Sequence, residues 1–323
     1  MFLSKIVTAA MKVETTQGTD ATPGATDFVG ILKPVFKLVP TKETRDYARM
    51  TLDQAVKVLG SVYAECTFDM EVKASGVAGT SYGPLSCIMQ ASGHSETVNA
   101  GVSVVYAPLS VPASSNFDTL GKSFTLKVYE AATAVSAGVL KTLTGGVVTA
   151  LKMTAEAGKV AFWTVTVRGI YTAVADVANT PTETPSNIIP QVVQSANLAI
   201  HSYAAKFQKI EIDWGLKGET RFDGNSAYAI KGFYISGREP KGTLDPELTS
   251  VATHDWYGRM VNGTTGTLSF VIGSGAGKTF NFGFPVVQYD TADPTDRNGL
   301  MALSLNLHFA YSSGDDWMGL TVN

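Results

Sequence analysis

Charge is what this sequence has least of. Asp, Glu, Lys and Arg supply 16% of its 323 residues, where an average soluble protein carries about 25%. A surface left mainly to Thr, Ser, Gly and Val suits a chain whose outside is covered by copies of itself. Formal net charge is -3 and no Lys/Arg run occurs, so the clustered basic surface that a duplex binder needs to neutralise phosphates is missing. Cysteine is nearly absent. Cys66 and Cys87 make no disulfide scaffold and read as reduced thiols of a protein made in a cytoplasm. The histidines, His94, His201, His254 and His308, are scattered. None stands at metal-ligand spacing from another His or Cys, so neither metal nor cofactor is expected. No stretch approaches the ~20 apolar residues of a membrane helix, and the opening MFLSKIVTAAM is too short for a secretory core.

Motifs that resemble catalytic or ligand loops fail on inspection. Gly273 to Thr279 (GSGAGKT) has Ile272 where a phosphate loop needs glycine, and the strand-like Thr279–Val287 follows it where a helix is required. It reads as a hairpin loop. Asp293 to Gly299 lacks the closing bidentate Glu of a calcium loop, and Asn298-Gly299 fits a tight hairpin turn. Asn262-Gly263-Thr264 is a formal glycosylation sequon without a secretory context. Asp315-Asp316 reads as a solvated turn. No activated nucleophile is visible, and no enzyme is expected.

What is present is β pattern. From Ala64 to Gly76 the chain alternates strictly. Ala64, Cys66, Phe68, Met70, Val72 and Ala74 point one way; Glu65, Thr67, Asp69, Glu71, Lys73 and Ser75 point the other. That is a half-buried antiparallel strand. Ala227 to Gly237 offers a second copy. Downstream, Trp163, Val165, Val167 and Tyr171 match Leu303, Leu305, Leu307 and Tyr311, each series following a Gly-containing turn. Short helical patches at Pro84–Gln90 and Asp255–Val261 complete the parallel. The sequence therefore predicts an internal duplication. The fold class is mainly β, with two tandem barrel or sandwich domains, each carrying a short helix. Residues 1–175 form the first domain with an N-terminal arm, 176–190 a Pro/Thr-rich linker, and 191–323 the second domain.

In order, residues 1 to 30 read as a polar arm. Gly30–Val39 is an edge or bulged strand because of Pro34. Arg45–Gly60 has some helical spacing but is favoured as strand, and Ala91–Asn99 reads as a long loop. Many short strands with Gly, Pro and Asn turns follow, the pattern of a barrel or sandwich.

The arm Lys12–Gly24 (KVETTQGTDATPG), then Arg45-Asp46-Tyr47-Ala48-Arg49 followed by the strand Ala64–Gly76, resembles the tail tube proteins of long-tailed bacteriophages. Gly237–Gly242, Pro285–Tyr289 and Asp296–Gly299 resemble the same family, so the likeness touches most of the chain. No immunoglobulin-like extension is expected. The resemblance implies a structural virion protein of the tail, made in the host bacterial cytoplasm. It would stack as rings around a channel through which DNA leaves without specific binding. Its partners would be itself, a tape-measure protein and tail terminator or initiator proteins, with no membrane. Glu65, Thr67, Asp69, Glu71 and Lys73 are the candidate lumen-facing residues, and a mostly acidic lining would repel phosphate. Duplication favours a trimeric, pseudo-hexameric ring, against a ring of six chains. The alternative class is a virion surface or adhesin-type β-sandwich that binds a partner through a loop patch.

Overall fold

A computed structural model describes residues 5–130, 137–178, 184 and 187–323. The fold is mainly β and antiparallel, with two short helices among the described residues. The first half holds β1 (Val7–Val13), β2 (Phe28–Val29), β3 (Leu32–Glu43), β4 (Val58–Glu71), helix α1 (Gly83–Ala91), β5 (His94–Asn99), β6 (Ser103–Pro108), β7 (Phe124–Glu130), β8 (Gly138–Glu156), β9 (Phe162–Tyr171) and β10 (Ala175–Val177). The second holds β11 (Ala199–Ile200), β12 (Phe207–Asp213), β13 (Leu216–Phe222), β14 (Ile230–Arg238), β15 (Lys241–Pro246), helix α2 (Trp256–Val261), β16 (Gly266–Ile272), β17 (Phe280–Arg297), β18 (Leu300–Ala310) and β19 (Gly319–Val322).

One sheet runs through both halves in the order β3-β4-β9-β8-β12-β15-β18-β17. The expected boundary thus falls inside a continuous sheet, joined where β8 pairs with β12. Of the expected linker, 179–183 and 185–186 lie outside the described residues, while Asp176 and Val177 pair with β8. The two longest strands bend from this sheet into a second layer. β8 begins against β7, which pairs with β1; β17 begins against β16 and β19. Each helix lies between its half's inner and outer strands in sequence. Asp255 caps α2, accepting from Gly258 N at 2.7 Å, and proline opens α1, where a missing N–H costs nothing.

The four-strand orders match position by position. In the first half Val148 faces Val167 and then Ala150 faces Thr166, leaving Thr149 bulged. In the second, Tyr289 faces Leu307 and then Thr291 faces Asn306, leaving Asp290 bulged. Thr166 faces Thr67 on its other side, and Asn306 faces Thr243. Lys241 therefore stands where Glu65 stands. By these pairings β4 corresponds in position to β14 running on into β15, and not to Ala227–Gly237 alone. A shared pair fixes this: Pro40 faces Val62 as Leu216 faces Arg238, and Lys42 faces Leu59 as Gly218 faces Ile235.

Between the layers, apolar side chains from both halves make one core. Trp163 of β9 meets Trp214 edge-on at 5.4 Å, and Trp214 meets Trp317 at 5.8 Å. None of the three indole N–H groups reaches an acceptor, so this cluster contributes through area and ring contacts.

Three expectations are corrected. Residues 1–30 are not merely an arm: Ala9, Ala10 and Met11 of β1 are buried, because this stretch pairs with β7 and β2. Ala91–Asn99 is not a loop, since His94–Asn99 forms β5 against β6. Arg45–Gly60 is strand only from Val58 onward, and 44–57 is exposed and irregular apart from the partly covered Ala55. The Asn298-Gly299 turn is found as expected, both residues with positive φ between paired Arg297 and Leu300.

Three buried groups bear on local stability. Glu14, 2% exposed, accepts from Gly18 N, Ser123 Oγ, Thr125 Oγ1 and Gly145 N at 2.6–2.8 Å, with no cation among these partners. Burial pushes its carboxyl up, against the hydrogen bonds. Glu14→Ala strips these donors of their acceptor and is expected to cost about 2–4 kcal/mol in urea unfolding, because buried unpaired donors are expensive. His94 is held neutral down to about 3 and His254 to about 4, chiefly by burial and next by Arg238 and Arg259 respectively. Both lie below the unfolded value near 6.5, so the unfolded chain binds extra protons as pH falls. The stabilisation is full above pH about 6.5 and is lost on acidification, at roughly 1.4 kcal/mol per pH unit for fully enclosed His94. Glu14 acts in the opposite sense. The urea midpoint should fall between pH 7 and pH 5, and His94→Gln should flatten that dependence.

Candidate functional site

The continuous sheet has two unlike faces. One packs on the core through Cys66, Phe68 and Met70 of β4, Val165 and Val167 of β9, Ile210 and Ile212 of β12, and Leu305 and Leu307 of β18, all buried. The other is largely polar, although Val35 stands on it and the β13–β14 hairpin covers it at Val147 and Tyr63. Period-two alternation creates both faces from the same strands.

Side chains on the polar face bond sideways, strand to strand. Thr67 and Thr166 hydroxyls lie 3.1 Å apart, and Thr164 donates to Asp69 at 2.7 Å. Glu65 accepts from Arg168 at 2.8 Å and pairs with Lys37 at 2.7 Å. In the other half Glu211 holds Lys152 at 2.6 Å and Lys209 at 2.7 Å, and Asn306 donates to Thr291 at 2.8 Å. Burial pushes the Glu65 and Glu211 carboxyls up, but their paired cations outweigh it and hold both below the usual carboxylate range.

Of the five residues expected to line a channel, Glu65, Thr67, Asp69 and Glu71 share this face of β4. Lys73 lies two residues past the strand's end, 3.5 Å from Glu71. Glu65 is only 7% exposed, roofed by its two cations. The face is not the mostly acidic surface the sequence suggested. β4 carries the acids Glu65, Asp69 and Glu71, but neighbouring strands, invisible from one strand's alternation, bring Lys37 and Arg168 to Glu65, and in the other half Lys152 and Lys209 to Glu211.

The sheet ends in two open edges. Among the described residues, β3 pairs only with β4, and the outer part of β17, Gln288–Arg297, pairs only with β18. Both edges carry proline, Pro34 and Pro40 on β3 and Pro294 on β17, as edge strands tolerate. Leu32, Val35 and Leu38 of β3 are 44%, 58% and 40% exposed. An edge this long and apolar is an association surface unless it is covered.

A family model described as phage tail tube protein matches residues 5–309. The chain belongs to the phage tail tube family. No curated protein matches it. As a tail tube protein it is a structural component of the virion tail, and its family self-assembles into a tube. For a tail tube subunit, the polar face and the two open edges are the features to be explained. No cluster of three or more His, Cys, Asp or Glu side chains able to hold a metal occurs among the described residues.

Proposed function

We propose that three chains close head to tail into a ring, and that rings stack into a tube whose bore is lined by the polar face. The observation that carries this reading is the junction inside the chain. Where β8 meets β12, Lys152 faces Asp213 and Thr154 faces Glu211. By the matched registers, Asp293 stands where Lys152 does, and Lys37 where Asp213 does. The open edge of β17 can therefore meet β3 of the next chain as β8 meets β12. Asp293 then faces the neighbour's Lys37, an opposite-charge pair with its signs reversed, and Thr295 faces the neighbour's Val35. We read the two halves as duplicated, equivalent units, so the ring is pseudo-hexameric.

Size supports three chains over six. Each chain supplies eight strands. Three chains give twenty-four, or about 115 Å of circumference before tilt, and a backbone cylinder about 45–50 Å across once strands tilt as in closed barrels. Six chains would double that, far more than one duplex needs. Glu65, Thr67, Asp69 and Glu71 then face the bore, with Lys73 at its rim, and DNA passes without specific binding. The subunit is non-enzymatic, is made in the host cytoplasm, and meets a tape-measure protein and terminator or initiator proteins at the tube's length limits and ends.

Negative-stain electron microscopy across a concentration series tests this, with Leu38→Asp as the variant. Leu38 stands where buried Trp214 stands at the internal junction, yet it is 40% exposed in the single chain. The variant should keep monomer stability within about 1 kcal/mol while abolishing rings. Six-chain class averages, or rings from Leu38→Asp, would overturn the reading.

A further inference from the structure

A cluster of rings in the second half seats helix α2. His201 stacks on Tyr289 with ring centres 4.5 Å apart, His254 stacks on Tyr203 at 4.8 Å, and Trp256 meets His254 edge-on at 4.2 Å. His201, His254, Trp256 and Tyr289 are all buried. Both nitrogens of His201 are committed. Val287 O stands 3.0 Å from Nε2 and can only accept, so Nε2 carries the proton. Nδ1 is then an acceptor, and the Arg259 guanidinium, which can only donate, reaches it with Nη1 at 3.4 Å. His254 Nε2 lies 3.1 Å from the Tyr289 hydroxyl. A second proton on His201 would set donor against donor and cation against cation.

The two helices are held very differently. α1 buries every residue from Pro84 to Ala91, whereas α2 buries only Trp256. From Ser250 to Thr265, His254 and Trp256 are the only buried residues, so the seat of α2 is this cluster. The turn beneath it is also strained. Ile200 and Tyr203 exchange both backbone hydrogen bonds, and His201 and Ser202 between them have φ of +47° and +65°, where a two-residue hairpin prefers Asn or Gly.

The groups facing the histidines favour their neutral forms. α2 brings Arg259, and β17 and the turn bring the phenols of Tyr289 and Tyr203. β16 has no charged residue, and Asp290 of β17 lines the polar face instead. The one carboxylate nearby, Asp255, is engaged in capping α2 at Gly258 N. Burial holds His201 below its ordinary value, opposed by the Val287 hydrogen bond and reinforced by Arg259. Burial, then Arg259, then His201 hold His254 at about 4, against Asp255. Released into water, both would return toward about 6.5. The seat is therefore at full strength above pH about 6.5 and weakens as pH falls toward the folded values.

We propose that α2 and its flanking loops, Ser250–Thr265, form an acid-released flap, which proton uptake by His201 and His254 lifts from β17 while the sheets stay folded. Release uncovers Trp256 and Tyr289, an apolar surface that the subunit hides at neutral pH. The device belongs to the single chain and does not depend on how chains close into a ring. Local opening of this kind draws on elements with few buried contacts.

Hydrogen exchange of the full chain at pH 7 and pH 5, corrected for intrinsic rates, tests this. Amides of 256–264 should lose at least 10-fold of their protection at pH 5, while amides of β4 and β9 remain the slower set at both pH values. In a His201→Asn, His254→Gln double variant, whose Asn tolerates the positive φ, the loss should be under 3-fold. Arg259→Gln keeps a donor for His201 and removes the facing charge, so its loss should be at least 2-fold smaller than that of the unaltered chain. An equal loss in the unaltered chain and in Arg259→Gln, or α2 amides exchanging no faster than those of β4 at pH 5, would overturn the flap.

Discussion

Backbone pairing between β8 and β12 is the interaction on which the rest of the structure depends. It turns two four-strand units into one sheet, aligns their polar faces and brings Trp163 of one half against Trp214 of the other. The proposed ring would repeat this contact between chains, using the edges of β3 and β17 that are open in the single chain. Hydrogen-bond demand at a bare strand edge is not specific by itself. The specificity comes from registers pinned by the bulges at Thr149 and Asp290 and from charges placed at fixed intervals along the edges.

Those bulges also explain why two strands are so long. β8 and β17 each belong to the polar sheet at one end and to the outer layer at the other. An extra residue bends a strand and increases its local twist, and Gly145 with positive φ helps β8 turn the corner. At these two corners the layers are joined by continuous strand rather than by loops.

Much of this was legible in the sequence, because alternation and turn residues are local signals. The strand around Cys66 and Phe68, helix α1, the Asn298-Gly299 hairpin and the edge character of Pro34 could all be read directly. Trp163–Tyr171 and Leu303–Ala310 fall on β9 and β18, which hold like places in the sheet order. Ala64–Glu71 and Ala227–Gly237 do not hold like places in it, because β14 and β15 are separated by an irregular pair of residues that sequence sliding cannot weigh. The mixed charge of the polar face was not legible for a different reason. Glu65, Asp69 and Glu71 are visible along one strand, but Lys37 and Arg168 arrive from strands near in space and far in sequence. β1 was missed because two of its three buried residues are alanines, whose burial depends on what packs above them.

The paired charges of the polar face have a consequence for a polyanion moving along it. A surface of unpaired cations would bind phosphates by releasing condensed counterions, with an affinity that changes steeply with salt. Here Lys37, Arg168, Lys152 and Lys209 are already committed to carboxylates, so few counterions remain to exchange. In the proposed bore, drag on a passing duplex would then depend little on ionic strength, alike in a dilute medium and in a concentrated one.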